Sequence, residues 1–475
     1  MKNLIRTYLR AAAIILASAI LSYSCRKDDD DYTLLFSSPA AYMDYGQTQT
    51  FSFRRSGNVA KLSITSSPEG WKSELNISAG TVTVTAPESL DEYEENDETV
   101  TPAEHGTLVL RGYVGDKAVS TSIFLSLSDM VDLSSTYANS YILDKPMNGY
   151  QISTRRPDGS AVEGVASAEI VWMSSRYLIR YVELRNDKIT FATYSDSDDK
   201  LLEGNALLAV KDADGNILWC WHLWVTGGEP EAGAVQLNGY TFMGCNLGAF
   251  GCSTEDEDAI LDSYGLYYQW GRPTPFARPY YYNCAGSNSE TLYNSEVVMQ
   301  TMRVEPSDSA NSDIAAAIAD PLVFVTDLTE PWSGSSTPTW SDSSKSIYDP
   351  CPAGWRVPTD DAFAGLRIVA AELENEPDQL DKAYGWTLTD GVGEAFFFAG
   401  GRRSYLDGSV INMNTQETPK PWEGFYWTTT LNASRRHGTA LFFDLNTVSA
   451  ESSRLTDNRQ MELSNGLQVR CVRVQ

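Results

Sequence analysis

The sequence predicts a multidomain chain, with all-β, immunoglobulin-like sandwich structure followed by an α+β C-terminal half. Three observations predict it. From Tyr32 to about residue 130, short runs alternate apolar and polar residues between turn signals, the period-2 signature of half-buried strands. From 131 to 230 longer apolar runs end at Gly227-Gly228-Glu229-Pro230, a cluster that breaks regular structure. From 235 to 475 brief apolar runs are interleaved with helical spacing and long polar loops. The 475 residues set a soft expectation of three domains at ~150 residues each.

The first element is an address rather than a fold. Lys2, Arg6 and Arg10 precede an apolar run, Ala11 to Leu21, that is too short to span a bilayer as a permanent helix. Small residues then lead to Cys25, the order of a secretory signal that ends at a cysteine. Ser22-Tyr23-Ser24-Cys25 resembles a bacterial lipoprotein signal, with Ser22 where Leu is usual. The resemblance implies that residues 1–24 are removed and that Cys25 is lipidated. Acyl chains at ~0.8 kcal/mol per buried methylene would then hold the protein to outer-membrane lipid. The following segment, 25–31, contains Lys27-Asp28-Asp29-Asp30-Asp31 and resembles the export signal of Bacteroidota lipoproteins displayed on the cell exterior. The implied location is the outer membrane, facing outward.

Loss of residues 1–24 would make the formal charge of −27 three units more negative. So acidic a chain repels nucleic acid, which is excluded as a partner. Aromatic residues make up 11% of the chain, a content that suits both β cores and platforms for sugar rings. With Cys25 lipidated, six of the seven cysteines remain, an even number for an oxidising compartment. Their count alone leaves the pairing open. No Cys-x-x-Cys occurs and the three histidines, His105, His222 and His437, are scattered, so neither a metal site nor a cofactor is expected.

The 32–130 segment is expected to form about seven strands, including Thr50–Phe53, Lys61–Ile64, Thr81–Thr85, Thr107–Leu110 and Ser122–Leu125. The acidic stretch Asp91 to Glu98 reads as a solvated loop. In the 131–230 segment, Asp214-Gly215-Asn216 lies between two apolar strands and predicts a hairpin turn. Asp212 and Asp214 faintly match a calcium loop, without its downstream Glu or flanking helices. The Trp219-Cys220-Trp221-His222-Leu223-Trp224 run is read as core packing, with His222 as a hydrogen-bonded structural residue.

In the 235–475 segment, Asp360 to Leu373 has helical spacing with Thr359 as its N-cap, and Met299 to Asp320 is partly helical. Phe396–Phe398, Tyr426-Trp427 and Ala440–Phe443 read as core strands, with Trp355, Phe397 and Trp427 assigned to packing. The segment also holds Phe242-Met243-Gly244-Cys245-Asn246-Leu247-Gly248-Ala249, then Tyr267-Tyr268-Gln269-Trp270-Gly271-Arg272. Asp349-Pro350-Cys351-Pro352-Ala353-Gly354-Trp355-Arg356-Val357-Pro358, Ala399-Gly400-Gly401-Arg402-Arg403, Gly424-Phe425-Tyr426-Trp427 and Val469-Arg470-Cys471-Val472-Arg473 follow. In that order they resemble the FISUMP, or major paralogous, domain, which often follows fimbrillin-like or Ig-like domains in Bacteroidota lipoproteins. The resemblance implies a C-type-lectin-like fold and, with it, a Cys351–Cys471 disulfide. Cys220–Cys245 and Cys252–Cys284 are the weaker pairing for the rest. Many relatives carry an Asp-Arg pair where this chain has Gly244-Cys245, a change that suggests charges exchanged for a bridge to Cys220.

That fold is shared with formylglycine-generating enzymes, yet no cysteine sits in a sequence context that marks it as activated, and no nucleophile elbow or paired carboxylate motif stands out. No catalytic residue is expected. Glu376-Pro377-Asp378 resembles part of the calcium signature of sugar-binding lectins but reads better as a helix-terminating turn. The functional expectation is a non-catalytic surface adhesin that binds an extracellular glycan or protein through loops of the C-terminal domain. The alternative is a fimbrial tip or accessory subunit with pilins as partners. The chain stops just after the closing Val469–Arg473 segment, which argues against a strand-donating stalk subunit.

Overall fold

The computed structural model describes residues 32–95, 98–127, 130–196, 200–253, 257–278, 291–308, 311–326, 339–373, 384–411, 423–445 and 454–474. Cys25, Lys27, Asp28, Asp29, Asp30, Asp31, Cys284 and Glu376-Pro377-Asp378 lie outside them. The described structure is nearly all β, in several sheets. Among the described residues no helix is long and apolar enough to cross a membrane.

The chain packs as two compact units: Met1–Leu133 with Met147–Ile152 and Ile179–Tyr194, and Ser134–Pro146 with Ser153–Leu178 and Ser195–Gln475. The 131–230 segment, expected as one domain, therefore contributes strands to both.

In the first unit the alternating runs become a β-sandwich. One antiparallel sheet orders Leu34–Phe36, Thr48–Arg55, Thr81–Thr85 and Lys72–Asn76. The other orders Ala40–Tyr42, Lys117–Ser126, His105–Val114 and Ala60–Ser66, its first pair parallel. Inward residues of both, among them Phe51, Val82, Val84, Leu108, Leu110 and Ile123, share one core. Each fully buried Val or Leu adds roughly 1.5–3 kcal/mol of transfer free energy. The acidic stretch is no simple loop: Tyr93–Glu95 pairs with Glu98–Val100 as an antiparallel hairpin arm, its first strand exposed. Cross-strand pairing satisfies the backbone there without apolar burial.

A third sheet of this unit orders Val131–Asp132, Gly149–Ser153, Lys188–Thr193 and Ile179–Arg185. Tyr181 stacks on Phe124 with ring centroids 4.9 Å apart. Gly149 is required where it stands, because a Cβ would fall 2.2 Å from the ring of Tyr42.

The second unit is built on a six-stranded sheet of Ser140–Leu143, Ile217–Val225, Gly204–Lys211, Ser167–Met173, Leu292–Tyr293 and Met299–Gln300. The Gly204–Lys211 and Ile217–Val225 strands form the expected hairpin. Its turn holds Gly215 at φ +89°, a conformation that glycine adopts without steric cost. The Asp212 carboxylate accepts from the Asn216 side chain at 2.9 Å and from the Asn216 and Asp214 backbone amides at 2.8 and 3.0 Å, which holds its pKa below the usual range. That carboxylate closes the turn.

One core joins this sheet to the C-terminal half: Trp172, Leu207 and Trp224 pack with Met243, Leu247, Trp270, Trp355 and Trp427. A second holds Phe242, Phe363, Trp386, Phe397, Tyr426 and Phe443. Small sheets surround them, including Glu423–Leu431, His437–Asp444 and Leu455–Glu462. The expected helix over Asp360–Leu373 is broken into a 3₁₀ turn at Asp360–Ala362, a short strand at Arg367–Ile368 and helix Ala370–Leu373. Gly365 at φ +71° ends the first piece, and the β-branched Ile368 pairs with Leu388. Thr359 is the N-cap residue but its side chain makes no capping hydrogen bond.

Candidate functional site

The second unit carries a cleft of about 450 Å³. Its floor begins at the edge of the six-stranded sheet, where Ile217, Leu218 and Trp219 enter the Ile217–Val225 strand. One wall is a tight turn. The Arg156 amide donates to the Ser160 carbonyl at 2.9 Å, and Gly159 at φ +81° lets the chain reverse. The Arg156 guanidinium donates to the Ala161 carbonyl at 2.8 Å and lies over the Trp219 ring, 5.0 Å from its centroid.

The opposite wall is helix Ile314–Ala319, which contributes Ile314, Ala315 and Ile318. Asp313 caps it, accepting from the Ala316 amide at 2.8 Å. Arg272, fully buried, donates to the Ala317, Pro321 and Val323 carbonyls at 3.2, 3.0 and 2.9 Å and so fixes that wall from behind.

Ile347 and Tyr348 complete the cleft. Their loop is tied at several points. The Asn139 amide donates to the Ile347 and Asp349 carbonyls at 2.8 and 2.9 Å, while its oxygen accepts from the Trp219 indole at 3.1 Å. Lys345 reaches the Asp349 carboxylate at 2.9 Å and the Cys351 carbonyl at 2.8 Å. Cys351 is disulfide-bonded to Cys471, with Cα atoms 6.1 Å apart.

Trp219 is only 3% exposed, so it is a prop and not a landing surface. Its ring lies 5.9 Å from that of Tyr348 and 5.0 Å from the Arg156 guanidinium. The faces left to a ligand belong to Tyr348, Arg156, Ile217, Leu218 and Ile314. An aromatic face beside a guanidinium and aliphatic side chains suits a compact ligand with an apolar face and hydroxyl or carbonyl oxygens at its edge.

His222 is fully buried, with Nδ1 3.0 Å from Ser140 Oγ and Nε2 2.8 Å from Asn205 Oδ1. Burial holds its pKa down at about 3, so the ring is neutral and structural. Trp355, Phe397 and Trp427 are buried in the cores. Cys220, Cys245 and Cys252 carry free thiols, so the expected Cys220–Cys245 bridge is not formed, and Cys252 is unpaired, with Cys284 outside the described residues. The reason is local. Cys245 neighbours the Cys252 thiol instead, and Arg470 donates to the Met243 and Gly244 carbonyls and the Asn246 side chain around it. Among the described residues no cluster of three or more His, Cys, Asp or Glu is placed to hold a metal.

The cleft is not legible in the sequence. Arg156, Trp219, Ile314 and Tyr348 are far apart in the chain, and although Trp219 opens the aromatic run at 219–224 and Tyr348 precedes Asp349–Pro358, Arg156 and Ile314 belong to no motif. The expectation placed binding in loops of 235–475, whereas half of this lining comes from 156–219. The one available signal was the aromatic-rich strand at 219–224.

No family model matches the chain. No curated protein matches it either. Among solved structures it is similar to an endo-fucoidan hydrolase of glycoside hydrolase family 107, at 14% identity and TM-score 0.15 over 41% of this chain and 32% of that one. It thus spans about a third of that enzyme. Cadmium-bound SporoSAG is matched at 8% identity and TM-score 0.14, over 39% of this chain and 94% of that one. The S-layer protein rSbsC(31-844) is matched at 15% identity and TM-score 0.13, over 40% of this chain and 23% of that one. At such TM-scores the likenesses carry no argument about fold or function.

Proposed function

We propose that this protein is a lipid-anchored, non-catalytic binding protein of the outer cell surface, and that the cleft at Arg156, Trp219 and Tyr348 receives a glycan or a protein segment. The cleft is the observation that carries the reading: an aromatic face, one cation and aliphatic walls on a backbone held by Asn139 and Lys345. Rigid walls limit the ordering cost of binding. The order of motifs from Phe242 to Arg473 supports a FISUMP domain of C-type-lectin-like type, and the sandwich of the first unit an immunoglobulin-like spacer. The Cys25 motif and the acidic run after it support the anchor and the outward address.

A glycan array probed with the fragment from residue 32 tests the binding claim. Binding that falls about tenfold in Tyr348→Ala and in Arg156→Ala is expected, since ring stacking and a guanidinium hydrogen bond are each worth ~1 kcal/mol or more. Binding that both variants retain in full would move the site elsewhere. Co-purification with pilins from outer membranes, without glycan binding, would favour a fimbrial tip.

A further inference from the structure

Two thiols outside the cleft meet where the chain turns. Cys245 is buried and Cys252 is exposed, and the two thiols are within hydrogen-bonding reach of each other. The backbone brings them together. Cys245 Sγ lies 3.9 Å from the Gly228 carbonyl. A Cβ on Gly228 would fall 2.5 Å from the Phe250 carbonyl and 3.2 Å from the Gly251 Cα, so Gly228 touches Cys245 and the two residues preceding Cys252. The amides of Phe250 and Gly251 both donate to the Asp262 carbonyl, at 2.7 and 3.2 Å, which fixes the approach of Cys252.

A buried cation flanks the pair. Arg470 donates to the carbonyls of Met243 and Gly244 and, at 3.2 Å, to the Asn246 side chain, bracketing Cys245 on both sides. The Cys245 hydrogen bond, aided by the Arg470 charge, lowers the pKa of Cys252, while that of Cys245 is raised. In a thiol–disulfide exchange the exposed sulfur would be the attacking group and the buried one the resolving thiol. Cys220, also a free thiol, is buried in the core with its pKa pushed up, and is inert by comparison.

We infer that Cys245 and Cys252 form a redox-active pair that closes to an intrachain disulfide by exchange with a small-molecule or protein disulfide. The electrons and protons balance in two steps. The Cys252 thiolate attacks the oxidant disulfide, forming a mixed disulfide and releasing one thiolate. That thiolate takes the Cys245 proton, and the Cys245 sulfur attacks the Cys252 sulfur and expels the second thiolate, which is protonated by water. The net change is one disulfide reduced to two thiols and one formed in this chain. The expected consequence is a staple across residues 245–252, holding the turn against Gly228.

The test uses the full chain and oxidised glutathione as the oxidant. After treatment, free thiols are alkylated and the chain is cut with a Glu-specific protease, which separates Cys220 and Cys284 from the 232–255 segment. Expected is a fragment with Cys245 and Cys252 two hydrogens lighter and free of alkyl groups. Cross-links from either residue to Cys220 or Cys284, or alkylation of both after oxidation, would overturn the inference. A second measurement needs no disulfide. At pH 7, alkylation of Cys252 should be roughly tenfold faster in the unmodified chain than in Cys245→Ala, because the donor that holds the thiolate is lost. Equal rates would also overturn it.

Discussion

Replacing Cys471 with Ser should unfold the second unit at a markedly lower temperature and weaken the cleft with it. The bridge to Cys351 spans a sequence separation of 120, and both sulfurs are fully buried. The chain-entropy relation gives about 5 kcal/mol for a loop of that size. A serine hydroxyl left in an apolar core adds ~1–3 kcal/mol unless it finds a partner. For a unit of this size each kcal/mol moves Tm by roughly 2–4 °C, so a fall of about 10–20 °C is expected from loss of the bridge and about 12–32 °C with the buried hydroxyl added. Cys471→Ala separates the two contributions, since it removes the bridge without burying a hydroxyl. Calorimetry is the assay: the transition of the second unit should move while that of the sandwich stays. The same lesion should reach ligand binding, because Lys345 ties the loop of Tyr348 to the Cys351 carbonyl. An unchanged transition in both variants, or free thiols at Cys351 and Cys471 in the native chain, would refute the reasoning.

The buried His222 makes stability depend on pH. Its folded pKa is about 3 against an unfolded value near 6.5, so between those limits the unfolded state binds more protons and stability rises with pH. Full stability is expected above pH ~7, with a loss of about 2 kcal/mol by pH 5 that His222→Gln lacks, measured as the difference in urea-midpoint slopes between the two proteins. Arg272→Met should cost about 3–5 kcal/mol in urea unfolding, because it strands the carbonyls of Ala317, Pro321 and Val323 and the Gln269 side chain. Cys25→Ser should move the protein from membranes to the soluble fraction, and Ala at Asp28 to Asp31 should keep the anchor but protect the chain from protease added to intact cells. Retention after a salt wash in the first case, or unchanged proteolysis in the second, would reject the address read from residues 1–31.

What the sequence discloses depends on whether the cause is local. A strand that buries one face must alternate, so Thr81–Thr85 and Thr107–Leu110 are legible, and the Asp212–Asn216 turn is written in residues that touch one another. Helical spacing over 360–373 misleads for the same reason. Three or four apolar residues fit the pattern, but Gly365 and the pairing of Ile368 with Leu388 decide the backbone, and that pairing is a tertiary fact. The Cys351–Cys471 pairing has no mark in the residues themselves; only a resemblance suggests it. The Cys245–Cys252 contact and the cleft have neither mark nor resemblance. Each depends on a segment remote in sequence: Gly228 and Arg470 for the thiols, and Asn139 and helix Ile314–Ala319 for the walls around Trp219 and Tyr348. The same Trp219–Trp224 strand shows both sides of this. Its apolarity announces burial, and burial is what His222 and Trp224 receive. That Trp219 props a cleft follows from Arg156 and Tyr348, which arrive from elsewhere and leave one edge of the strand open.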